Sequence, residues 1–119
     1  MQPNATFKYS NLKVTPTREG FDVSFSIANN TQFEAEEVAQ VYVSWPDSKA
    51  ERPLKELKGF SRIALKAGAR HRVTIPIRRE DLCFWNEERQ GWALELGRIN
   101  VLVGGSSADL PLQQETIVR

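Results

Sequence analysis

The chain has 119 residues, of which 40% are hydrophobic and 26% charged, with sixteen Lys and Arg against fifteen Asp and Glu. That length supplies one domain and one core, and the composition is that of a folded chain. A net charge of +1 gives no reason to expect nucleic acid or an acidic membrane as partner; a single cysteine, Cys83, excludes an internal disulfide and a Cys-cluster zinc site; a single histidine, His71, removes most His-based metal and nucleophile chemistry.

The elements follow in chain order. Phe7 and Tyr9 share one face of a first strand, whereas Leu12 and Val14 have the opposite parity. A bulge or bend near Ser10-Asn11 returns both pairs to the core. Phe21, Val23, Phe25 and Ile27 alternate with Asp22, Ser24, Ser26 and Ala28, the pattern of a half-buried strand. Ala39, Val41, Val43 and Trp45 interleave with Val38, Gln40, Tyr42 and Ser44, and apolar groups on both faces predict a more central strand. Leu57 to Leu65 is a weaker strand holding Phe60, Ile63 and Leu65. Val73, Ile75 and Ile77 form the next, in which Pro76 removes a ladder donor and predicts an edge position or a bulge. Arg79-Glu80-Asp81-Leu82 is the one candidate for a helical turn. Ile99, Val101 and Val103 make another strand, and Leu110, Leu112 and Ile117 mark the last. Turn residues separate them: Arg18-Glu19-Gly20, Asn29-Asn30-Thr31, Trp45-Pro46-Asp47-Ser48, Lys66-Ala67-Gly68 and Gly104-Gly105-Ser106-Ser107. About seven strands at turn-rich intervals predict one all-β antiparallel sandwich over residues 1–119. Without an internal disulfide, a fibronectin type III-like version fits better than an immunoglobulin one.

Catalytic constellations are weak. His71 lies between Arg70 and Arg72, and nothing marks it as a base. Cys83, between Leu82 and Phe84, reads as a small core residue. Glu36-Glu37, Glu80-Asp81 and Glu87-Glu88 are adjacent pairs. Neighbours on a strand point to opposite faces, so adjacency works against a shared substrate. Gly104-Gly105-Ser106-Ser107 lacks the Lys-Ser/Thr and helix of a phosphate loop and reads as a hairpin connection. Asn4-Ala5-Thr6 and Asn29-Asn30-Thr31 match the N-glycosylation pattern. Trp45, Trp85 and Trp92 are expected in burial or domain contact; the alternative is a flat platform on which sugars stack. No cofactor, metal, nucleic acid or membrane partner is expected. No apolar run reaches the roughly 20 residues of a membrane span, and the first residues, Met1 to Ala5, carry no signal-peptide core.

Ala35-Glu36-Glu37-Val38-Ala39-Gln40-Val41-Tyr42-Val43-Ser44, followed by Arg52-Pro53-Leu54-Lys55-Glu56-Leu57-Lys58-Gly59-Phe60, resembles the fibronectin type III-like domain at the C-terminus of glycoside hydrolase family 3 enzymes, the β-glucosidases, β-xylosidases and their relatives. The resemblance runs from Thr6–Val14 through Leu65-Lys66-Ala67-Gly68, Val73-Thr74-Ile75, Asp81-Leu82-Cys83-Phe84-Trp85, Gly91-Trp92 and Gly97 to Val101–Gly104 and Ser106-Ser107, and so spans nearly the whole chain. Two departures concern local turns. Ala69 stands where the family often has an acidic residue, and Arg78-Arg79 displace another to Glu80-Asp81. In this role Gly59 allows a close backbone approach or a bulge, and Phe60 is expected to fill the core. Lys55 and Glu56 are expected on opposite faces, one of them reaching a neighbouring loop or domain.

The resemblance implies a non-catalytic accessory domain of a retaining glycosidase whose nucleophile and acid/base lie in other domains. Such a module packs on and stabilises the catalytic domains, its partners, and shapes the active-site rim. A carbohydrate- or polymer-binding module using exposed tryptophans is the alternative, and a generic adhesion sandwich is a third class. The expected contact residues are Trp45, Lys55, Glu56, Phe84, Trp85 and Trp92. Pro46, Phe84, Trp85 and Trp92 are expected to form an apolar patch, through which the isolated module would self-associate weakly. The substrate of the larger enzyme and its compartment, whether cytoplasm, periplasm or exterior, stay open.

Overall fold

The computed structural model describes residues 7–48 and 55–119. Among the described residues nine strands follow one another: β1 (Phe7–Pro16), β2 (Gly20–Asn29), β3 (Ala35–Ser44), β4 (Glu56–Leu65), β5 (Arg70–Arg78), β6 (Phe84–Asn86), β7 (Gly91–Ala93), β8 (Gly97–Gly104) and β9 (Leu112–Val118). A single 3-10 turn, Arg79–Leu82, lies between β5 and β6, where a helical turn is expected. A three-stranded sheet in the order β1-β2-β5 faces a four-stranded sheet in the order β4-β3-β8-β9. All pairings are antiparallel. The short strands β6 and β7 form a separate hairpin. The fold is therefore the expected all-β sandwich of seven long strands, with one small hairpin added. No helix among the described residues is long and apolar enough to cross a membrane.

The two inner faces supply the core. Phe21, Val23, Phe25 and Ile27 of β2 meet Ala39, Val41 and Val43 of β3 and Ile99, Val101 and Val103 of β8, all buried. β3 lies inside its sheet, as its two apolar faces suggest, and β5 lies at an edge, as Pro76 suggests. Leu82 closes one end of the core from the 3-10 turn. Ile117 faces outward; Val118 of β9 is buried in the core, and Leu112 packs against it.

Two irregularities set the parity of the edge strands. In β1 the register jumps between Ser10 and Lys13, and Asn11 adopts a left-handed φ of 56°. Tyr9 and Val14 are therefore both buried, and Phe7 and Leu12 both pack on the core. In β4 the register jumps at Lys58: Leu57 pairs with Tyr42 and Gly59 with Val41. Gly59 thus faces inward, and a Cβ there would come within 2.8 Å of Ile75 Cγ2. That is the close approach expected of it.

This bulge corrects the expectation for Phe60. Phe60 pairs with Gln40 on the outer face and is 66% exposed, while Ile63 and Leu65 are buried. Phe60 and Ile63 have opposite parity, and the extra residue sits before Gly59, too early to turn Phe60 inward.

The sheets are also tied by polar contacts. The Tyr9 hydroxyl on β1 donates to Glu37 Oε2 on β3 at 3.1 Å. Burial first, and then the Glu37 carboxylate, push the phenol well above its ordinary value of 10.0. A raised folded-state value gives stability that is complete below the unfolded value and lost as pH rises past it. Unfolding by urea should therefore become easier above about pH 10. Tyr9→Phe should flatten that alkaline slope; an unchanged slope would refute the assignment. Phe25→Ala is expected to lower unfolding free energy by about 3–5 kcal/mol, and Phe60→Ser to change it by less than about 0.5 kcal/mol. Both are read from denaturant midpoints.

Candidate functional site

The residues expected at a contact surface converge on one end of the sandwich. There β3 leaves its sheet through Trp45–Ser48, the 3-10 turn follows β5, and the β6–β7 hairpin leads into Gly97 of β8. Period-two pairing explains the hairpin: Phe84 faces Ala93, Trp85 faces Trp92 and Asn86 faces Gly91. Its turn is closed by the Arg89 amide donating to Asn86 Oδ1 at 3.0 Å and by Gln90 Nε2 donating to Glu87 O at 2.7 Å. Gln90 takes the left-handed conformation, with φ 52°. The two indoles stand edge to face, with centroids 5.5 Å apart and planes at 81°. Trp92 is 72% exposed and Trp85 45%. Pro46 and Leu96 are exposed at the same end, and Phe84 is half-buried. Perpendicular rings are a stable aromatic pair but not the coplanar platform that sugar stacking needs.

Trp45 has a different role from the other two tryptophans. It is half-buried against the core, and the Lys58 ammonium lies 5.7 Å from its ring centroid. Lys58 also pairs with Glu56 at 2.9 Å. Glu56 opposes the inward residue Val43, so this ion pair caps the interior. Lys55 points the other way. Its Nζ donates to Ser107 O at 2.6 Å and lies 5.9 Å from the Tyr42 ring centroid. Lys55 and Glu56 thus take opposite faces, and Lys55 is the one that reaches a neighbouring loop. Arg52, Pro53 and Leu54 lie outside the described residues, as do Asn4, Ala5 and Thr6.

A polar clasp stands beside the tryptophans. Arg98 Nε and Nη2 donate to both oxygens of Asp47, at 3.0 and 2.9 Å, and Nη1 donates to Glu115 at 3.0 Å. The guanidinium holds the Asp47 carboxyl below its ordinary range. Ser48 donates to Glu95 at 2.6 Å. These contacts lash the Trp45–Ser48 turn to the start of β8 around a cavity of about 70 Å³. The partners stand 51 and 47 residues apart for Asp47–Arg98 and Ser48–Glu95 and 17 apart for Arg98–Glu115, so no local pattern announces them.

The remaining flagged groups do not converge. His71 is exposed on β5, opposite Ile27. Cys83 is a half-buried free thiol whose Sγ lies 3.8 Å from Arg79 O. Glu36 is exposed, whereas Glu37 points inward to Tyr9; Glu80 and Asp81 are exposed on the 3-10 turn, and Glu87 and Glu88 on the hairpin. Among the described residues no three His, Cys, Asp or Glu side chains gather as metal ligands. Gly104 ends β8 and the chain returns as β9, the connection expected of Gly104–Ser107.

The Asn29-Asn30-Thr31 pattern marks a structural lock. Asn29 is fully buried; its Nδ2 donates to Phe33 O at 2.8 Å and Leu65 O at 3.0 Å. Its Oδ1 accepts from the Thr31 amide and hydroxyl at 2.9 and 2.7 Å. With both amide hydrogens used inside the protein, a glycan on Nδ2 is incompatible with this fold.

Comparison with known proteins fits this geometry. Residues 37–107 match the model of the fibronectin type III-like domain family. The chain is 46% identical over 90 residues to "Probable beta-glucosidase D" of Aspergillus flavus, covering 76% of this chain and 12% of that protein. It is 33% identical to "Probable beta-glucosidase M" of Emericella nidulans, over 95% of this chain and 17% of that one. Among solved structures, a GH3 β-glucosidase of Bifidobacterium adolescentis superposes with a TM-score of 0.91 at 31% identity, over 96% of this chain and 17% of its own. The β-D-glucoside glucohydrolase of Trichoderma reesei gives 0.90 at 31% identity, over 97% and 19%. The chain therefore spans less than a fifth of the length of these relatives.

Replacing Asn29 by Ala leaves buried carbonyls and a Thr31 amide without their partner. Stability should fall by about 1–3 kcal/mol, measured by urea denaturation; a change within error would show that water takes over the bonds.

Proposed function

The chain belongs to the fibronectin type III-like domain family, and from that membership we propose that it is a non-catalytic accessory module of a family 3 glycoside hydrolase of β-glucosidase type. In this reading the module packs on the catalytic domains of a larger polypeptide and stabilises them. The observation that carries it is the exposed end formed by Trp85, Trp92, Pro46 and Leu96. Large aromatic surface left in water at one end of a well-packed sandwich is the signature of a contact surface, where Trp is enriched. The clasp of Asp47 with Arg98 holds the turn beside that surface in place. The length of the similar proteins supports the same reading, because a chain matching less than a fifth of each leaves ample polypeptide to cover this end.

Non-catalytic character is supported by where the carboxylates point. A retaining glycosidase holds its two carboxyl groups about 5–5.5 Å apart on either side of one bond. Of the adjacent pairs, Glu37 is occupied by Tyr9 while Glu36 is exposed, and Glu80, Asp81, Glu87 and Glu88 lie exposed on the 3-10 turn and the hairpin.

Carbohydrate binding is the second reading, favoured by the exposure of Trp92. Against it stands the 81° angle between the indoles, which leaves one ring rather than a surface.

The 119-residue chain should fold and release no nitrophenol from p-nitrophenyl β-glucoside, and the surrounding gene should encode a glycosidase catalytic region. Turnover abolished by a single carboxylate substitution in this chain would overturn the accessory reading. Tryptophan fluorescence should stay flat with millimolar cello-oligosaccharide; a saturable change lost in Trp92→Ala would favour the carbohydrate reading instead.

A further inference from the structure

The near-zero net charge conceals a strong segregation. From Leu57 to Arg79 the chain holds Lys58, Arg62, Lys66, Arg70, Arg72, Arg78 and Arg79 and no Asp or Glu; all fifteen carboxylates lie outside this stretch. The stretch covers nearly all of β4 and the whole of β5. These are the edge strands of the two sheets, and they run beside each other along one side of the sandwich. The fold therefore gathers the cations on that side.

Between the two strands lies an open groove of about 410 Å³, lined by Leu57, Lys58, Gly59, Phe60, Ile75 and Pro76. The bulge at Lys58 makes it by turning both Leu57 and Phe60 outward, where they are 49% and 66% exposed. Arg62 follows Phe60 on the same face of β4, and Arg78 follows Pro76 on the same face of β5. Among the described residues, Arg62, Lys66, Arg70, Arg72 and Arg79 form no ion pair with a carboxylate. Arg72 donates instead to Asn11 O and Ser26 Oγ, and Arg78 meets Glu80 at 3.8 Å with both side chains well exposed. The nearest carboxylates along the strands are Glu56, which adjoins Leu57 and pairs with Lys58, Asp22, opposite Pro76, and Glu37, opposite Ile63 and engaged by Tyr9.

Cations and a proline on edge strands have a simpler use, which is to block edge-to-edge pairing. That use does not explain Leu57 and Phe60, because exposed apolar groups on an edge promote association rather than prevent it. Lys58, which lines the groove, is paired with Glu56. Arg62 beyond Phe60, however, forms no ion pair among the described residues, and Arg78 beyond Pro76 has only the long, exposed contact with Glu80. An apolar groove flanked by such cations fits a partner that is apolar at its centre and acidic at its rim. A long polyanion fits less well, since outside residues 57–79 the chain holds fifteen carboxylates against nine Lys and Arg.

We propose that the β4–β5 side is a second docking surface, taking an acidic protein segment that lays one apolar side chain in the groove between Phe60 and Pro76 and sets carboxylates against Arg62 and Arg78. The proposal concerns the chemistry of the partner and stands apart from the tryptophan end, whether or not the partner is catalytic.

The test uses a fluorescein-labelled dodecapeptide of Asp and Glu with a central leucine, titrated against the 119-residue chain by fluorescence anisotropy. Saturable binding is expected, weakened about tenfold or more between low and physiological salt. Phe60→Ser, or serine in place of the peptide's leucine, should weaken it about fivefold. Arg62→Glu and Arg78→Glu, on different strands and both exposed, should each weaken it about tenfold. Amide shifts in a nitrogen-15 correlation spectrum should map to Gly59, Phe60 and Ile75. Four outcomes would overturn the proposal: no saturation at millimolar peptide; equal binding by Phe60→Ser, which leaves edge protection alone; equal binding of a single-stranded oligonucleotide; or shifts centred on Trp85 and Trp92. Sedimentation of the free chain supplies the last arm, in which a dimer dissolved by Phe60→Ser would make the groove a self-interface instead.

Discussion

The strict alternation of side chains between the two faces of a strand is the constraint on which the rest of this molecule depends. A slip of one residue exchanges the core face for the solvent face along a whole strand. The interior strands β2, β3 and β8 satisfy the alternation without interruption, and their Phe, Val and Ile residues make the dry layer between the sheets. The edge strands β1 and β4 satisfy it only by absorbing one irregularity each. In β1 the bulge rescues the core, since Tyr9 and Val14 cannot both face inward without it. In β4 it does something else: it seats Gly59 against Ile75 and sends Leu57 and Phe60 outward.

The polar contacts that matter are those joining elements remote in sequence. Tyr9 to Glu37 ties the sheets near one end, and Asp47 to Arg98 ties a turn to a strand at the other. Asn29 holds its own turn and the end of β4 from a fully buried position. A buried amide with all its hydrogen bonds made specifies one turn conformation; the same amide unpaired would be a large penalty. The exposed clasp at Asp47 has less thermodynamic weight, because its charges sit in water, and its value is geometric.

These features leave two surfaces of different character. One end presents aromatic rings on a hairpin whose turn carries Glu87, Glu88 and Arg89; one side presents an apolar groove flanked by cations. Both depend on short strands or edge strands, where the sandwich has surface to spare after its core is closed. A module that must attach to other polypeptide has reason to keep its specificity there, since its central strands are committed to packing.

Much of the fold was legible from residues alone. Alternation marked the strands, Pro76 placed β5 at an edge, the parity break in β1 announced its bulge, and the family resemblance carried by residues 35–65 named the architecture. The contact residues were legible as types but not as an arrangement. That Trp85 and Trp92 face each other at right angles follows from the register of a three-residue hairpin, which no periodicity encodes. Phe60 shows the same limit from the other side: its position was decided by an extra residue at Lys58, and a bulge next to glycine leaves no hydrophobic signature. Composition, alternation and turn chemistry are local, and they determined that this chain would be a two-sheet sandwich with a sparse set of reactive groups. Which carboxylate meets which cation, which aromatic stays in water, and how a balanced charge divides into a basic side and an acidic remainder depend on strand order. Only the tertiary structure could decide those, because the partners are neighbours in space and strangers in sequence.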